Sequence, residues 1–171
     1  MTTAATTLTE TPEHAFDLLK RRLAAYAAGM PLPRETLDRI EYLAHMVLSQ
    51  SRYREAIDLY RLLVMHAPTT LGWRYGLARA LQLHEQHEDA LQQYQFALAL
   101  GGNSSTYGLR MAECQLALGQ RPLALRTIRQ ALAEHDPASG SPAALTRLQQ
   151  LHSVLSALET HHEETRVQPG E

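Results

Sequence analysis

The chain has 171 residues, which is long enough for one domain with its own hydrophobic core. Hydrophobic residues make up 44% and charged residues 20%, as in ordinary globular proteins, and the formal net charge of −2 gives no global field that favours nucleic acid or an anionic membrane. A single cysteine, Cys114, excludes an internal disulfide and indicates a reducing compartment. No signal peptide and no uninterrupted apolar run of about 18 residues is present, so we expect a cytoplasmic protein without membrane insertion.

The N-terminal part of the chain predicts a disordered segment followed by a helix. Residues 1–11 are rich in threonine and alanine and lack an apolar pattern, so we expect them to be disordered. Thr11 suits a helix N-cap, Pro12 suits the first helical position, and Gly29 suits the end, which together predict an N-terminal helix over residues 12–29.

An alanine pattern with a fixed period follows this helix. One set of alanines recurs at a fixed interval: Ala56, Ala90 and Ala124. A second set recurs at the same interval, and each of its members precedes its counterpart in the first set by a constant number of residues: Ala44, Ala78 and Ala112. Their interval, about 34 residues, is the period of the tetratricopeptide repeat (TPR), a helix–turn–helix unit. The two helices of a unit cross closely, and a small residue on each helix permits that crossing. The sequence therefore predicts an all-α TPR solenoid with three repeats.

The repeats are bounded by residues that break helices. Pro68, Gly101-Gly102 and Asp136-Pro137 close the three units, which we place at residues 37–70, 71–104 and 105–138. The six helices predicted within this region span roughly residues 34–50, 53–66, 70–84, 87–100, 104–118 and 121–134.

A last helix is predicted over residues 142–160, with Ser141 as its N-cap and Pro142 at its start. Its leucines follow helical spacing: Leu145, Leu148, Leu151, Leu155 and Leu158. Because a solenoid with an open end exposes its core, we interpret this helix as a C-terminal cap. Residues 161–171 are predicted to be a disordered tail.

The first helices of stacked TPR units line a concave face, and the repeat register indicates which of their side chains point into it. The residues predicted to form a peptide-binding groove are Glu41, His45, Leu48, Tyr75, Arg79, Gln82, Leu109, Glu113 and Leu116. Such a mixed face suits an extended peptide, whose apolar side chains enter pockets near the leucines and the tyrosine while polar groups hold its backbone. One arginine among several acids cannot neutralise a track of phosphates, so nucleic acid is not expected as a partner.

Three short stretches resemble the class II chaperones of bacterial type III secretion, the SycD/LcrH/IpgC group. They are Tyr53-Arg54-Glu55-Ala56, Trp73-Arg74-Tyr75-Gly76-Leu77-Ala78 and Met111-Ala112-Glu113-Cys114. The last is the most discriminating, since the general TPR pattern demands neither the glutamate nor the cysteine. The chain departs from the usual pattern at Gln115, where an apolar residue is usual, and at Glu41, where the family often has an aromatic residue.

The resemblance implies a layout of an N-terminal helix, three repeats and a C-terminal helix. It also implies that the protein holds an extended segment of hydrophobic translocator proteins in its groove and keeps them soluble before export. Members of this family form homodimers through the N-terminal helix, where Phe16, Leu19 and Leu23 here give an apolar face. That face is buried either in a dimer or against the first repeat of the same chain.

Other function classes receive little support from the sequence. His84 and His87 fall at a predicted turn, and no further residues at the spacing of metal ligands accompany them, so no metal is expected. Gly101-Gly102 is not followed by the residues of a phosphate-binding loop, so no cofactor is expected. Cys114 lies next to a packing position without a base beside it, so we expect no enzyme activity. The alternative function is that of a TPR scaffold or adaptor in a secretion or pilus assembly system.

Overall fold

The computed structural model describes residue 21, residues 32–137 and residues 140–167. Within this part of the chain there are seven α-helices and no β-strand: α1 (Arg34–Ser49), α2 (Tyr53–His66), α3 (Leu71–Leu83), α4 (His87–Ala99), α5 (Ser104–Ala117), α6 (Arg121–Ala133) and α7 (Pro142–Val167). The segment predicted to be disordered, 1–11, and the predicted helix 12–29 lie outside the described residues, apart from Arg21.

The all-α prediction is confirmed, and the bounds of the first six helices agree with the predicted bounds to within one residue. Each helix packs against the next one in the chain, and α7 packs against α5 as well as α6. No helix in the described part of the chain is long and apolar enough to cross a lipid bilayer.

The turns inside the three helix pairs share one backbone geometry. Ser51, Glu85 and Gly119 each have a positive φ, of 61°, 63° and 74°, and they occupy the same position in successive repeats. In the first turn the Ser51 N–H donates to the Leu48 carbonyl at 3.1 Å and the Arg52 N–H donates to the Val47 carbonyl at 3.0 Å. This pair of bonds is a Schellman motif, which satisfies carbonyl groups at the end of a helix and reverses the chain.

The alanines of the repeat pattern form the helix crossings, as predicted from their spacing. All six are fully buried: Ala44, Ala56, Ala78, Ala90, Ala112 and Ala124. Larger side chains fill the space beside them, and Tyr60 and Tyr94 are also fully buried at equivalent positions of the first two repeats. The alternation of small and large residues thus lets neighbouring helices approach without leaving voids.

The buried apolar residues divide into two clusters that meet at α5. The first core cluster extends from α1 through α4 and includes one side of α5, with Tyr107, Met111 and Cys114. The second core cluster joins the other side of α5 to α6 and α7, and its members are Leu109, Ala112, Ala124, Leu125, Ile128, Ala131, Ala144, Leu148 and Leu155. Helix α7 therefore caps the end of the stack.

A buried arginine joins the two helices of the second repeat to Pro68 at the end of the first. The guanidinium carbon of Arg74 lies 3.7 Å from the centre of the Phe96 ring, and its Nη1 donates to Gln93 Oε1 at 2.9 Å. Its Nε donates to the Pro68 carbonyl oxygen. Burial lowers the pKa of Arg74, and the π face together with these two acceptors compensates the cation for its lost water.

The C-terminal helix starts as predicted and ends later than predicted. Ser141 Oγ accepts a hydrogen bond from the Ala144 N–H at 3.3 Å, which confirms its role as N-cap. The helix continues past residue 160 to Val167, so the prediction of disorder from residue 161 is wrong for residues 161–167. This stretch contains glutamates and an arginine but neither glycine nor proline, so nothing in it stops a helix before Pro169.

Candidate functional site

The predicted groove residues lie on α1, α3 and α5, the first helix of each repeat. On each helix they recur at three- and four-residue intervals, which places them on one side of the helix. Eight of the nine are half-buried or exposed, and we call these the groove face: Glu41, His45, Leu48, Tyr75, Arg79, Gln82, Glu113 and Leu116. Three of them are apolar or aromatic and the others are polar or charged, so the face combines apolar contact surface with hydrogen-bonding groups.

At the α1 end of the groove face, a histidine connects an acid to a buried phenol. The Nδ1 atom of His45 is 3.0 Å from the Tyr60 hydroxyl, and its Nε2 atom is 3.9 Å from Glu41 Oε1. Burial, together with the charge of Glu41, raises the pKa of Tyr60 to about 12, so its hydroxyl keeps its proton at neutral pH. The His45 and Tyr60 rings meet edge to face, with centroids 5.7 Å apart.

Between α3 and α5, five side chains form a connected network that we call the polar cluster. Gln82 is its centre, because its Oε1 accepts from the Tyr94 hydroxyl at 2.9 Å and from Arg79 Nη1 at 3.2 Å. Its Nε2 donates to Glu113 Oε2 at 3.0 Å, which joins the two helices. Glu113 Oε2 also accepts from Arg110 Nη1 at 2.9 Å. The predicted residues Arg79, Gln82 and Glu113 are thus brought into one site.

Three tyrosine rings pack together at this network, and one of them, Tyr94, belongs to it. The ring centroids of Tyr75, Tyr94 and Tyr107 lie 5.5 to 6.3 Å from one another, at distances and tilts favourable to aromatic rings. Burial raises the pKa of Tyr94 and of Tyr107, so both hydroxyls remain neutral. Of the three, only Tyr75 is half-buried, and it belongs to the groove face.

Arg110 belongs to the polar cluster although it was not among the predicted groove residues. Burial by itself would lower the pKa of Arg110, but hydrogen bonds to Glu113 and Tyr75 outweigh it and the net shift is upward. The sequence signal available for it was its position three residues before Glu113 on the same helix, a spacing that pairs opposite charges.

Leu109 requires a correction. It was predicted to line a groove pocket, but only 6% of its surface is exposed and it packs in the second core cluster. The reason is that α5 packs against both α6 and α7, and Leu109 shares a buried cluster with residues of those two helices. Leu116, predicted for the same purpose, also packs against that cluster but stays half-buried.

Cys114 is fully buried, and burial followed by the charge of Glu113 raises the pKa of its thiol to about 11. A thiol with this pKa remains protonated at neutral pH and is not a nucleophile. Among the residues that the structure describes, no group of three His, Cys, Asp or Glu side chains is placed to hold a metal ion. The predicted dimerisation residues Phe16, Leu19 and Leu23 lie outside the described part of the chain.

Comparison with known proteins identifies the fold. No protein-family model matches the chain. Among solved structures, it resembles PcrH of Pseudomonas aeruginosa in complex with the chaperone binding region of PopD, with a TM-score of 0.68, 23% identity, and coverage of 75% of this chain and 96% of PcrH. It also resembles the type III secretion translocator chaperone SycD of Yersinia enterocolitica, with a TM-score of 0.69, 17% identity, and coverage of 75% of this chain and 89% of SycD.

TPR domains from other systems show the same likeness. The Sgt2 TPR domain of Aspergillus fumigatus matches with a TM-score of 0.65 and 17% identity, over 82% of this chain and 89% of that domain. At these identities the likeness establishes the fold, and the TPR architecture expected from the period of the alanines is confirmed. The fold of this chain is therefore the one used by type III secretion translocator chaperones and by other TPR domains.

Proposed function

We propose that this protein is a cytoplasmic chaperone that binds an extended segment of hydrophobic type III secretion translocator proteins on its groove face. The proposal is supported by the shared fold and by what the similar structures contain. PcrH was solved with the chaperone binding regions of PopD and of PopB, and SycD with a peptide of the translocator YopD.

The observation that carries the proposal is the composition of the groove face. Leu48, Tyr75 and Leu116 are half-buried and offer apolar contacts on the first helices of the three repeats. Between them, the polar cluster presents hydrogen-bond donors and acceptors. An extended chain needs both, because its side chains seek apolar contacts while its unpaired backbone groups seek hydrogen bonds.

Binding would mask apolar client surface that otherwise aggregates or inserts into a membrane. The chaperone acts by mass action. Because it binds the soluble form of the translocator, it shifts the equilibrium of the translocator toward that form without a chemical energy source. The resemblance in sequence implies two such clients, one larger and one smaller.

A homodimer through Phe16, Leu19 and Leu23 is part of the proposal. SycD has been solved as an alternative dimer, which supports self-association in a protein of this fold. Sedimentation of the full chain and of a chain shortened by residues 1–30 tests this part. A shortened chain that stays dimeric would contradict it.

The direct test is co-expression with the translocator proteins encoded in the same genome. With the wild-type chain, we expect the translocator to be soluble and to co-purify. With Tyr75→Ala, we expect solubility and co-purification to be lost, since that change removes the aromatic surface of the groove face. Tyr42→Ala is the matched control, because Tyr42 is on α1 outside the groove face and is 71% exposed. The proposal fails if the translocator is soluble without this protein or does not co-purify with it.

The alternative of a scaffold or adaptor in another assembly system shares the fold, as the Sgt2 domain illustrates. The co-expression experiment separates the two, since a scaffold would not keep a translocator soluble.

A further inference from the structure

The polar cluster has an unequal charge balance. Arg79 and Arg110 contribute two positive charges, and Glu113 contributes one negative charge. The other two members, Gln82 and Tyr94, are neutral. One positive charge is therefore left over between α3 and α5, in a half-buried site where water screens it less than on an open surface.

The two guanidinium groups also have donors to spare. An arginine carries five N–H donors. For Arg79, the described residues supply one hydrogen bond, to the neutral Gln82 Oε1, and no carboxylate at ion-pair distance. Arg110 Nε is buried and has no hydrogen-bond partner within the described residues. By contrast, the exposed Arg34 and Arg52 each pair with a carboxylate on their own helix or at its start.

We infer that the polar cluster is a subsite for one acidic side chain, an aspartate or glutamate within the extended client segment, held between Arg79 and Arg110. This inference rests on the proposed function and adds a chemical requirement on the client. A carboxylate here offsets the surplus positive charge and accepts the spare N–H donors, and arginine is the residue best suited to such a contact.

The charges of the groove face give the client a direction as well. Glu41 on α1 lies at the opposite end of the face from Arg110 and Glu113 on α5, and it repels a carboxylate. An acidic client residue therefore belongs over α3 and α5, with the apolar residues that contact Leu48 on the α1 side. Such charge complementarity determines which partner binds, and in which register the client segment lies, more than it increases the affinity.

The experiment is a selection of random dodecamer peptides displayed on phage, performed against the full chain. The peptides are fused through their C-termini, so side chains are the only carboxylates they present. We expect peptides that share apolar positions and one enriched Asp or Glu at a fixed distance from them. Selection against Arg79→Gln is expected to lose the acidic position and keep the apolar ones.

A synthetic copy of the most enriched peptide then gives the affinity. Changing its acidic residue to the corresponding amide is expected to weaken binding by about tenfold, the loss of a charge-assisted hydrogen bond. The same change in the peptide is expected to have little effect on binding to Arg79→Gln, because both substitutions remove the same interaction. Arg79→Lys is expected to retain part of the preference for the acidic peptide over the amide. Arg61→Gln is the matched control, since Arg61 is exposed on α2 and its loss alters the net charge equally.

The outcomes are separable from those of the co-expression test. Selected peptides without an acidic position, or no selected peptides at all, overturn the acidic subsite. Equal weakening by the amide substitution in the wild type and in Arg79→Gln overturns it too, because the carboxylate then contacts something else. A translocator that remains insoluble in co-expression while acidic peptides still bind refutes the proposed client and leaves the subsite standing.

Discussion

Gly76 on α3 lets the ring of Tyr60 on α2 lie directly against the helix backbone. A Cβ placed on Gly76 would lie 2.2 Å from Tyr60 Cε1 and 2.3 Å from its Cζ, well inside van der Waals contact. Tyr60 is fully buried, and its hydroxyl reaches His45 in the groove face. The ring therefore has no free space into which it could shift without disturbing that end of the site.

We predict that Gly76→Ala destabilises the protein by about 1–3 kcal/mol, the usual cost of overpacking a filled core, despite the higher helix propensity of alanine. Urea unfolding followed by circular dichroism measures this change. Gly72→Ala on the same helix is the control, because a Cβ there meets nothing within 4 Å, and its effect is expected to be neutral or slightly stabilising. Equal effects of the two substitutions would contradict the close packing of Tyr60.

At this scale, periodic features were predictable from the sequence and non-periodic ones were not. The six alanines follow the repeat period, and burial of each is a direct consequence of the repeat. Arg110 does not follow the register of the groove positions, and its contacts with Glu113 and Tyr75 place it in the site. Leu109 has the right register, but the sequence does not say how much of α5 a capping helix covers, so its burial was not foreseen.

Gln115 is a further departure from the repeat pattern. It occupies the position that Val47 and Leu81 hold in the first two repeats, and it is just as buried, with 2% of its surface exposed. Its Oε1 has no hydrogen-bond partner among the described residues. A buried amide with an unsatisfied oxygen costs stability that an apolar residue at this position would not.

At the scale of elements, the three turns inside the helix pairs place different residues in the same strained backbone. Gly119 adopts a positive φ without penalty, whereas Ser51 and Glu85 carry a Cβ in the left-handed region. The backbone hydrogen bonds of the three turns are equivalent. The Gln86 N–H donates to the Leu81 carbonyl at 2.9 Å, and the Gln120 N–H donates to the Gln115 carbonyl at 2.8 Å. The geometry is therefore fixed by the repeat and not by the residue at its centre.

We predict that Glu85→Gly stabilises the protein by about 0.5–1 kcal/mol, because relief of the strain exceeds the added entropy of the unfolded chain. Gly119→Ala is expected to destabilise it by about 1 kcal/mol for the opposite reason. Thermal unfolding measures both changes, which correspond to a few degrees in melting temperature for a chain of this size. A loss of stability in Glu85→Gly would show that the exposed Glu85 side chain makes a contribution larger than the backbone strain.

Helix α7 illustrates why element ends are harder to predict than element types. Its start was predictable, because Ser141 and Pro142 are specific signals, and Ser141 does cap the helix. Its end was not predictable, since residues 161–167 are polar and near the terminus, as disordered tails are, although they also contain good helix formers.

At the scale of the whole molecule, the two core clusters share α5 but little else. In a solenoid each repeat is stabilised mainly by its neighbours, so a defect at one end need not reach the other. Leu63 on α2 is fully buried in the first core cluster, and Leu148 on α7 is fully buried in the second. The pair thus allows each end of the stack to be weakened separately by the same chemical change.

We predict that Leu148→Ala reduces amide hydrogen-exchange protection in α6 and α7 while α1 to α3 keep theirs, and that Leu63→Ala does the reverse. Each change removes a buried leucine and is expected to cost about 2–5 kcal/mol locally. Hydrogen exchange measured by mass spectrometry resolves the two ends. If protection falls uniformly in either variant, the stack unfolds as one unit and α5 couples its ends tightly.

If the loss is local, then Glu41, His45, Leu48 and Tyr75 stay ordered when α7 opens, whereas Leu116 and the covered Leu109 become exposed at the α5 end of the groove face. That opening would lengthen the apolar surface available to a client on the side where the polar cluster already lies.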